Sequence, residues 1–136
     1  MTTGTATPLL FQEAWIADLK TRTSLVALSP TFPTEIREAE WQSADFVYPA
    51  IRVGLDFMPN QCGPDDADVY IEVFSEQKSS KQATTIASKI VELYHNHPFR
   101  SNGIHFSTVI VRKVFNPDHS LPYAWMEKVH IFCKGI

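Results

Sequence analysis

The segment from Ala67 to Tyr94 constrains the fold most, because one strand pattern runs directly into one helix pattern. Apolar and other residues alternate through 67–74, as a strand requires. The following residues place an apolar stripe at 3.6-residue spacing, formed by Ala83, Ile86, Ala87, Ile90, Leu93 and Tyr94. A strand that feeds an amphipathic helix is a packing unit, and this one contains no catalytic motif. The segment therefore predicts a structural scaffold.

Similar patterns predict the other elements. A proline at a helix start and large apolar residues at helical spacing predict a helix from Pro8 to about Lys20. Alternating patterns predict strands at 34–36, 46–57, 104–115 and 123–134, with a loop at 58–66 and a turn at 116–120. Ser79 with Gln82, or Ser75, can cap the second helix. That helix is predicted to end at residues 96–98.

These elements predict an α+β fold. The strands at 46–57 and 67–74 pair antiparallel, and those at 104–115 and 123–134 form a hairpin. Strands 67–74 and 104–115 run parallel if they share a sheet, because a helix connects them. We expect a mixed, mainly antiparallel sheet of four to five strands with two helices packed on one face. Residues 1–136 form one domain, in which 1–7 are a flexible tail.

The composition limits the classes of function. The chain has 136 residues, 44% of them hydrophobic, and a formal net charge of −3, which does not favour tight nucleic-acid binding. Two cysteines are too few for a secreted disulfide scaffold, which indicates a reducing compartment. Residues 1–7 lack the pattern of a signal peptide, and no apolar run reaches the roughly 20 residues that span a bilayer.

The predicted last strand is apolar on both sides. Val129 and Ile131 share one side with Tyr123 and Trp125, whereas the other side carries Ala124, Met126 and Phe132. Two helices cover one face of a sheet, so the second face indicates a neighbouring subunit. Half-exposed aromatic residues on a monomer are the other interpretation, and both stay open at this point.

Metal ligands are not convincingly grouped. His95 and His97 are two residues apart at a helix end, a spacing that does not place them on one helix face. Asp65, Asp66 and Asp68 lack the spacing of a calcium loop and are typical of a solvated turn. We therefore predict no metal and no cofactor.

Catalytic motifs are also missing from the sequence. Neither Cys62 nor Cys133 has an evident basic partner, and no nucleophile elbow, Walker loop or dinucleotide fingerprint occurs. Arg112, Lys113 and Lys128 form a weak basic strip if they are cross-strand neighbours, although acids such as Glu127 are expected to dilute it. The chain is predicted not to be an enzyme.

Two local motifs carry a resemblance to a known family. A strand begins near Tyr48-Pro49, and the later strand 69–75 has the form V-x-I-x-V-aromatic-Ser before a helix that contains Ala83 and Ala87. Together with the order of elements, these motifs resemble the tail-completion proteins of long-tailed bacteriophages, the tail terminator or tail-to-head joining family. The resemblance covers roughly residues 8–136. The chain departs from the family pattern at 38–45, which contains Trp41, and in the loop 58–66.

The resemblance implies a structural virion protein that forms a hexameric ring at the head-proximal end of the tail tube. Such a ring ends tube polymerisation and provides the joint to the head. Its partners are further copies of the chain, the tail tube protein and a head-completion or neck protein, with no membrane involved. Genome DNA passes through the lumen without sequence-specific binding. The implied location is the virion tail or neck, and the host cytoplasm during assembly.

Subunit or partner contacts are predicted on strands and loops. The strand residues are Tyr70, Phe74, Trp125, Met126 and Phe132; the loop residues are Pro59, Asn60, Pro64, Asp65, Asp66, Asn116, Asp118 and His119. Two alternatives stay open. One is a neck or head-completion role in the same connector. The other is a small α+β enzyme or ligand-binding domain that uses His95, His97, His105, His119 or His130, in which two or more histidines should converge beside an acid.

Overall fold

The computed structural model describes residues 8–38, 47–57, 67–115, 118–121 and 124–134. The helices in these ranges are α1 (Pro8–Thr21), α2 (Thr23–Val26) and α3 (Lys81–Tyr94). The strands are β1 (Ile36–Glu38), β2 (Ala50–Phe57), β3 (Ala67–Ser75), β4 (His97–Ser101), β5 (Ile104–Val114), β6 (Asp118–Leu121) and β7 (Ala124–Lys134).

All seven strands belong to one mixed sheet. Six lie side by side in the order β1-β2-β3-β7-β5-β4, and the short β6 pairs with β7. β1 and β2 are parallel, whereas every other pair is antiparallel. β3 and β5 both run antiparallel to β7, which lies between them, so they are parallel to each other, as the order of elements predicts. The predicted α+β class with a mixed, mainly antiparallel sheet is confirmed.

The predicted number of strands was too low. β4 was not predicted; it forms a hairpin with β5 through Asn102 and Gly103, whose φ angles of 50° and 79° suit a tight hairpin turn. Residues 118–120 were predicted to lie in a turn but belong to β6, which pairs with the start of β7. β1 begins at Ile36, two residues later than the predicted strand began.

The hydrophobic core lies between the helices and one face of the sheet. Alternate residues of β3 and β7, including Ile71 and Ile131, are buried together with the apolar stripes of α1 and α3. From α1 the stripe is Phe11, Ala14, Trp15 and Leu19; from α3 it is Ala83, Ile86, Ala87, Ile90 and Tyr94. The predicted stripe of α3 is therefore confirmed, except that Leu93 is half-buried. In α1, Leu9 and Leu10 also recur at helical spacing but are exposed. None of the described helices combines the length and apolar character needed to cross a bilayer.

Aromatic rings join the helices to β4 and β5. The ring of Trp15 stacks on Phe99 with centroids 4.4 Å apart and lies 4.9 Å from the ring of Tyr94. Phe11 meets Phe106 edge to face at 5.6 Å. Such pairs contribute beyond the area they bury, so β4, although short, is held firmly in the core.

A polar contact between α1 and α3 lies at the same end of the core. The Tyr94 hydroxyl donates to Asp18 Oδ2 at 2.5 Å, and Arg22 Nε donates to the same oxygen at 3.1 Å. Burial is the main cause that raises the pKa of Tyr94 well above its usual range, and the adjacent Asp18 carboxylate raises it further. This contact connects α1 to the last turn of α3.

The start of α3 differs from the predicted capping box. Gln82 Oε1 accepts a hydrogen bond of 2.7 Å from Ser75 Oγ rather than from Ser79. Ser79 Oγ instead accepts from the backbone nitrogen of Lys81 at 3.1 Å. Ser75 is fully buried at the end of β3, so its bond fixes the direction in which the chain leaves the sheet.

Candidate assembly surface

The face of the sheet opposite the helices carries the candidate site. Its residues alternate with the buried core positions of the central strands, and none of the described helices packs on it. We call it the open face and define it by Tyr70, Glu72 and Phe74 of β3, Ile110 of β5, and Met126, Lys128, His130 and Phe132 of β7. All eight are half-buried. Strand alternation thus produces a second, partly apolar surface on the same sheet.

Aromatic and apolar side chains are paired across the strands of the open face. Tyr70 and His130 are cross-strand partners whose rings stack with centroids 4.7 Å apart and an interplanar angle of 26°. Phe74 is paired with Met126, and Phe132 with Ile110. Cross-strand pairs of this kind stabilise a sheet, and they also concentrate apolar area on the side that the helices do not cover.

Charged groups lie among these rings. Lys128 Nζ is 3.7 Å from Glu72 Oε2 and 4.8 Å from the centroid of Tyr70. His130 Nε2 is 3.3 Å from Asp68 Oδ1, and Asp68 is only 6% exposed. The half-exposed Lys128–Glu72 ion pair adds little stability, so its main effect is to hold the two side chains in defined positions.

A basic–aromatic strip runs along one side of the open face. We define it by Arg112, Lys113, Phe115, Lys128 and Phe132. Arg112 Cζ lies 4.4 Å from the centroid of Phe132, and the Nζ atoms of Lys113 and Lys128 lie 4.5 and 5.9 Å from that of Phe115. Both Arg112 and Lys113 are exposed, beside a register irregularity in β5. Lys113 and Lys128 thus share the Phe115 ring, whereas Arg112 lies on Phe132, four residues further along β7 than Lys128.

Glu127 does not dilute this strip, contrary to the expectation from the sequence. It lies on the helix-covered face, is 4% exposed, and accepts a hydrogen bond of 2.8 Å from Thr84 Oγ1 of α3. The expectation was wrong because adjacent residues of a strand point to opposite faces, so Glu127 and Lys128 are on different sides of the sheet.

A buried ion pair lies where β2 meets the segment that leads into β1. Arg52 is 3% exposed and donates to the Glu35 backbone oxygen at 2.7 Å and to Glu35 Oε1 at 3.1 Å. Arg37 Nε lies 4.0 Å from the other carboxylate oxygen. A buried charge without its partner is costly, so this cluster fixes β1 against β2.

The predicted contact residues fall into four groups. Tyr70, Phe74, Met126 and Phe132 lie together on the open face. Trp125 lies on the helix-covered side, where its indole nitrogen donates to the Lys78 carbonyl at 3.3 Å, so it also supports the turn before α3. Asp118 and His119 are in β6. The others lie outside the described residues: Pro59, Asn60, Pro64, Asp65, Asp66 and Asn116.

The described histidines occupy separate places. His95 Nδ1 accepts a hydrogen bond of 3.0 Å from the Val111 backbone nitrogen, His97 is exposed at the start of β4, and His105 pairs with Arg100 in the hairpin. Only His130 of this set belongs to the open face. Within the described ranges, no three histidine, cysteine or acidic side chains are grouped so as to hold a metal ion. The Cys133 thiol is fully buried, which raises its pKa and suppresses the reactive thiolate.

Sequence reasoning missed the polar members of the open face. Asp68 was named only as part of an acidic turn and His130 only as a possible enzymatic or ligand-binding histidine. Strand alternation nevertheless places both, together with Glu72, on the same side as Tyr70 and Phe132. The alternation of side chains along each strand was therefore enough to assign these residues to the open face. The contacts of Lys128 with Glu72 and of His130 with Asp68 depend on the pairing register of β3 with β7.

Comparison with protein-family models gives no match, and comparison with curated proteins gives no significant match.

Proposed function

We propose that this chain is a structural virion protein that forms a ring at the head-proximal end of a phage tail tube. The ring ends tube polymerisation and provides the joint to the head or neck. One observation carries the proposal: the sheet has helices on one face and a second face on which Tyr70, Phe74, Met126 and Phe132 are grouped. A partly apolar surface of this kind favours contact with another protein surface.

The order of elements supports the same function. An N-terminal helix, a strand entered through Tyr48-Pro49, a strand that leads into a helix and a final hairpin all occur in the described chain. These are the features on which the resemblance to tail terminators rests. The local motifs also occupy the expected elements, because residues 69–75 lie in β3 and the following segment, which contains Ala83 and Ala87, lies in α3.

The proposed mechanism is binding without catalysis. Identical subunits make heterologous contacts, in which one patch meets a different patch on the next copy, and such contacts close into a ring when the rotation permits. The mild net charge of −3 suits a ring through which DNA passes, because many basic residues along the lumen would bind phosphates and retard passage. The enzyme alternative receives no comparable support, since the described histidines are spread over the C-cap of α3 and strands β4, β5, β6 and β7.

Electron microscopy of the purified protein, alone and mixed with phage tail tubes of the same source, tests this proposal. We expect six-fold rings and tubes that carry one cap at a single end. Rings that bind only to filled heads would transfer the assignment to a neck or head-completion protein. No rings and uncapped tubes would refute both assignments.

A matched pair of substitutions separates assembly from folding. Phe74→Ser removes a half-buried ring from the open face, whereas Leu9→Ser removes a side chain that is 64% exposed on α1. We expect rings to be lost in the first variant and kept in the second, with the far-UV circular dichroism of both unchanged. Equal ring formation by the two variants would contradict the use of the open face.

A further inference from the structure

We infer that the outer edge of β5, formed by residues 110–114 on the side away from β7, binds an extended acidic segment of a partner protein. The segment adds to the sheet as one more strand: the backbone of the edge supplies hydrogen bonds, and the cations of the basic–aromatic strip select carboxylates. The inference rests on the proposed function only for the identity of the partner, which would be a protein of the tail tube or neck.

β5 extends well beyond the strand that covers its outer side. β4 pairs with β5 from Ile104 to Val109, whereas β5 continues to Val114. Among the described strands, none pairs with the outer edge at 110–114. A strand edge of this kind presents backbone N–H and C=O groups with which another strand can pair.

Hydrogen bonds define the backbone directions along this edge. The Phe115 N–H donates to the Lys128 carbonyl at 2.8 Å, towards β7. Because successive N–H groups of a strand point to opposite sides, the N–H of Val114 points to the outer edge. The Val111 N–H also points away from β7, where it donates to Nδ1 of His95 at 3.0 Å. His95 therefore marks the end of the covered part, and Val114, which is 39% exposed, lies beyond it.

Two cations lie beside the outer edge. A register irregularity between Val111 and Lys113 inserts Arg112, and both cationic side chains are exposed. The charged ends of Arg112 and Lys113 lie over the rings of Phe132 and Phe115 at 4.4 and 4.5 Å. Aromatic faces attract cations without neutralising their charge. The edge therefore presents positive charge on side chains that are already partly ordered, which lowers the entropy cost of binding a carboxylate.

These charges determine which strand can pair with the edge. Charged side chains on an edge, especially lysine, oppose pairing with other strands, and natural proteins use them to protect exposed edges. A segment with carboxylates at alternate positions places them on one face, about 7 Å apart, where they can meet Arg112 and Lys113. The same cations thus reject neutral or basic strands and attract an acidic one, so specificity comes from repulsion as well as attraction.

A nucleic acid is the less favoured occupant. Single strands are bound largely by stacking of bases on aromatic faces, whereas the rings of Phe132 and Phe115 already hold cations. Glu72 Oε2 lies 3.7 Å from Lys128 Nζ and would repel phosphates. The pI of about 5.9 is also low for a nucleic-acid-binding domain. A nucleic acid, moreover, offers no ladder of donors and acceptors that matches a strand edge.

Binding of a short synthetic peptide tests the site. The probe is a fluorescein-labelled peptide in which glutamate alternates with threonine or valine, and fluorescence anisotropy measures its binding. Two matched peptides separate the two contributions. The first has lysine in place of each glutamate. The second keeps the glutamates but is N-methylated throughout, so it retains its charge and loses the backbone donors that strand pairing requires.

Charge reversal on the protein locates the binding site. The strip variant is Arg112→Glu/Lys113→Glu. Its matched control is Lys78→Glu/Lys81→Glu, which reverses two exposed lysines near the start of α3 and changes the net charge by the same amount. The far-UV circular dichroism of both variants should match that of the wild type.

We expect the acidic peptide to bind the wild type and the control alike, and the strip variant at least about tenfold more weakly. The lysine peptide and the N-methylated peptide should each bind the wild type at least about tenfold more weakly than the acidic peptide. No binding of the acidic peptide at about 1 mM wild-type protein would overturn the inference. Equal binding of the N-methylated peptide would show attraction of charge without strand pairing and would also overturn it. Neither result bears on ring formation.

Two further measurements cover the other occupants. A labelled oligothymidylate should bind the wild type and the strip variant equally; binding that only the strip variant loses would assign the cations to nucleic acid and overturn the inference. Sedimentation velocity should show equal self-association of the strip variant and the control. Weaker self-association of the strip variant would assign the edge to a second copy of the chain, which contradicts the inference and leaves the proposed ring intact.

Discussion

Replacing Tyr94 with phenylalanine should measure how much one hydrogen bond between α1 and the last turn of α3 contributes to the free energy of unfolding. The substitution removes only the hydroxyl, which donates to Asp18 Oδ2 at 2.5 Å. The Tyr94 side chain is 1% exposed and its ring packs on Trp15 at 4.9 Å. Phenylalanine keeps this ring packing, so the change in the free energy of unfolding reports the hydrogen bond.

The expected loss is about 1.5–2 kcal/mol. A hydrogen bond to a charged group contributes about 1.5–3 kcal/mol. The lower part of this range applies because the Asp18 side chain is still 12% exposed and keeps its contact of 3.1 Å with Arg22. For a chain of this length, the loss corresponds to a Tm lower by roughly 5–7 °C.

Urea unfolding of four proteins provides the assay: wild type, Tyr94→Phe, Asp18→Asn and the double variant. The urea concentration at the midpoint of unfolding should fall, while the dependence of the free energy of unfolding on urea concentration stays the same. The cycle isolates the coupling between the two side chains. A Tyr94→Phe loss below about 0.5 kcal/mol, or no coupling in the cycle, would refute the claim that this bond fastens α1 to α3.

Three further predictions concern stability. Burial raises the pKa of Tyr94 and of Cys133, so both stay neutral in the folded chain while they ionise in the unfolded one. Their contribution to the free energy of unfolding is complete below about pH 8.5 and falls as the pH rises, by up to about 1.4 kcal/mol per pH unit and group. A urea midpoint that does not change from pH 8 to 11 would contradict this. Ile90→Ala opens a cavity in the fully buried stripe of α3 and should cost about 2–5 kcal/mol by urea unfolding, a smaller loss arguing against tight packing there. Arg52→Ala leaves the Glu35 carboxylate buried beside its weaker partner and should cost about 3–5 kcal/mol by thermal unfolding, whereas an unchanged Tm would show that the pair is dispensable.

The longer elements could be predicted from the sequence because each has its own period. The residues of α3 repeat at helical spacing and those of β3 alternate, so both elements and their approximate bounds were predicted. The antiparallel pairing of β2 with β3 also followed from their order. Local periodicity therefore accounts for most of the scaffold.

The short strands could not be predicted from periodicity. β4 has five residues, includes Pro98 and follows the helix almost directly, so its segment was interpreted as the end of α3. The Asn102-Gly103 pair is a strong hairpin signal and was overlooked. β6 has four residues beside Pro117, a composition that favours a turn. Their pairing with longer strands determines their conformation.

The candidate site could be predicted only in part. Alternation placed Met126 and Phe132 opposite Val129 and Ile131, and the structure shows that the first pair faces away from the helices. Which rings and charges meet depends on register between distant strands, as in the stacking of Tyr70 on His130. No local pattern encodes that register.

The mass of the purified protein in solution tests the central claim most directly. Native mass spectrometry or light scattering over a wide concentration range distinguishes a closed ring from a monomer of 15.4 kDa. Ring formation through the open face predicts a single species of about six subunits that does not grow further as the concentration rises. A monomer at every concentration, in the presence as well as the absence of tail tubes, would contradict the account.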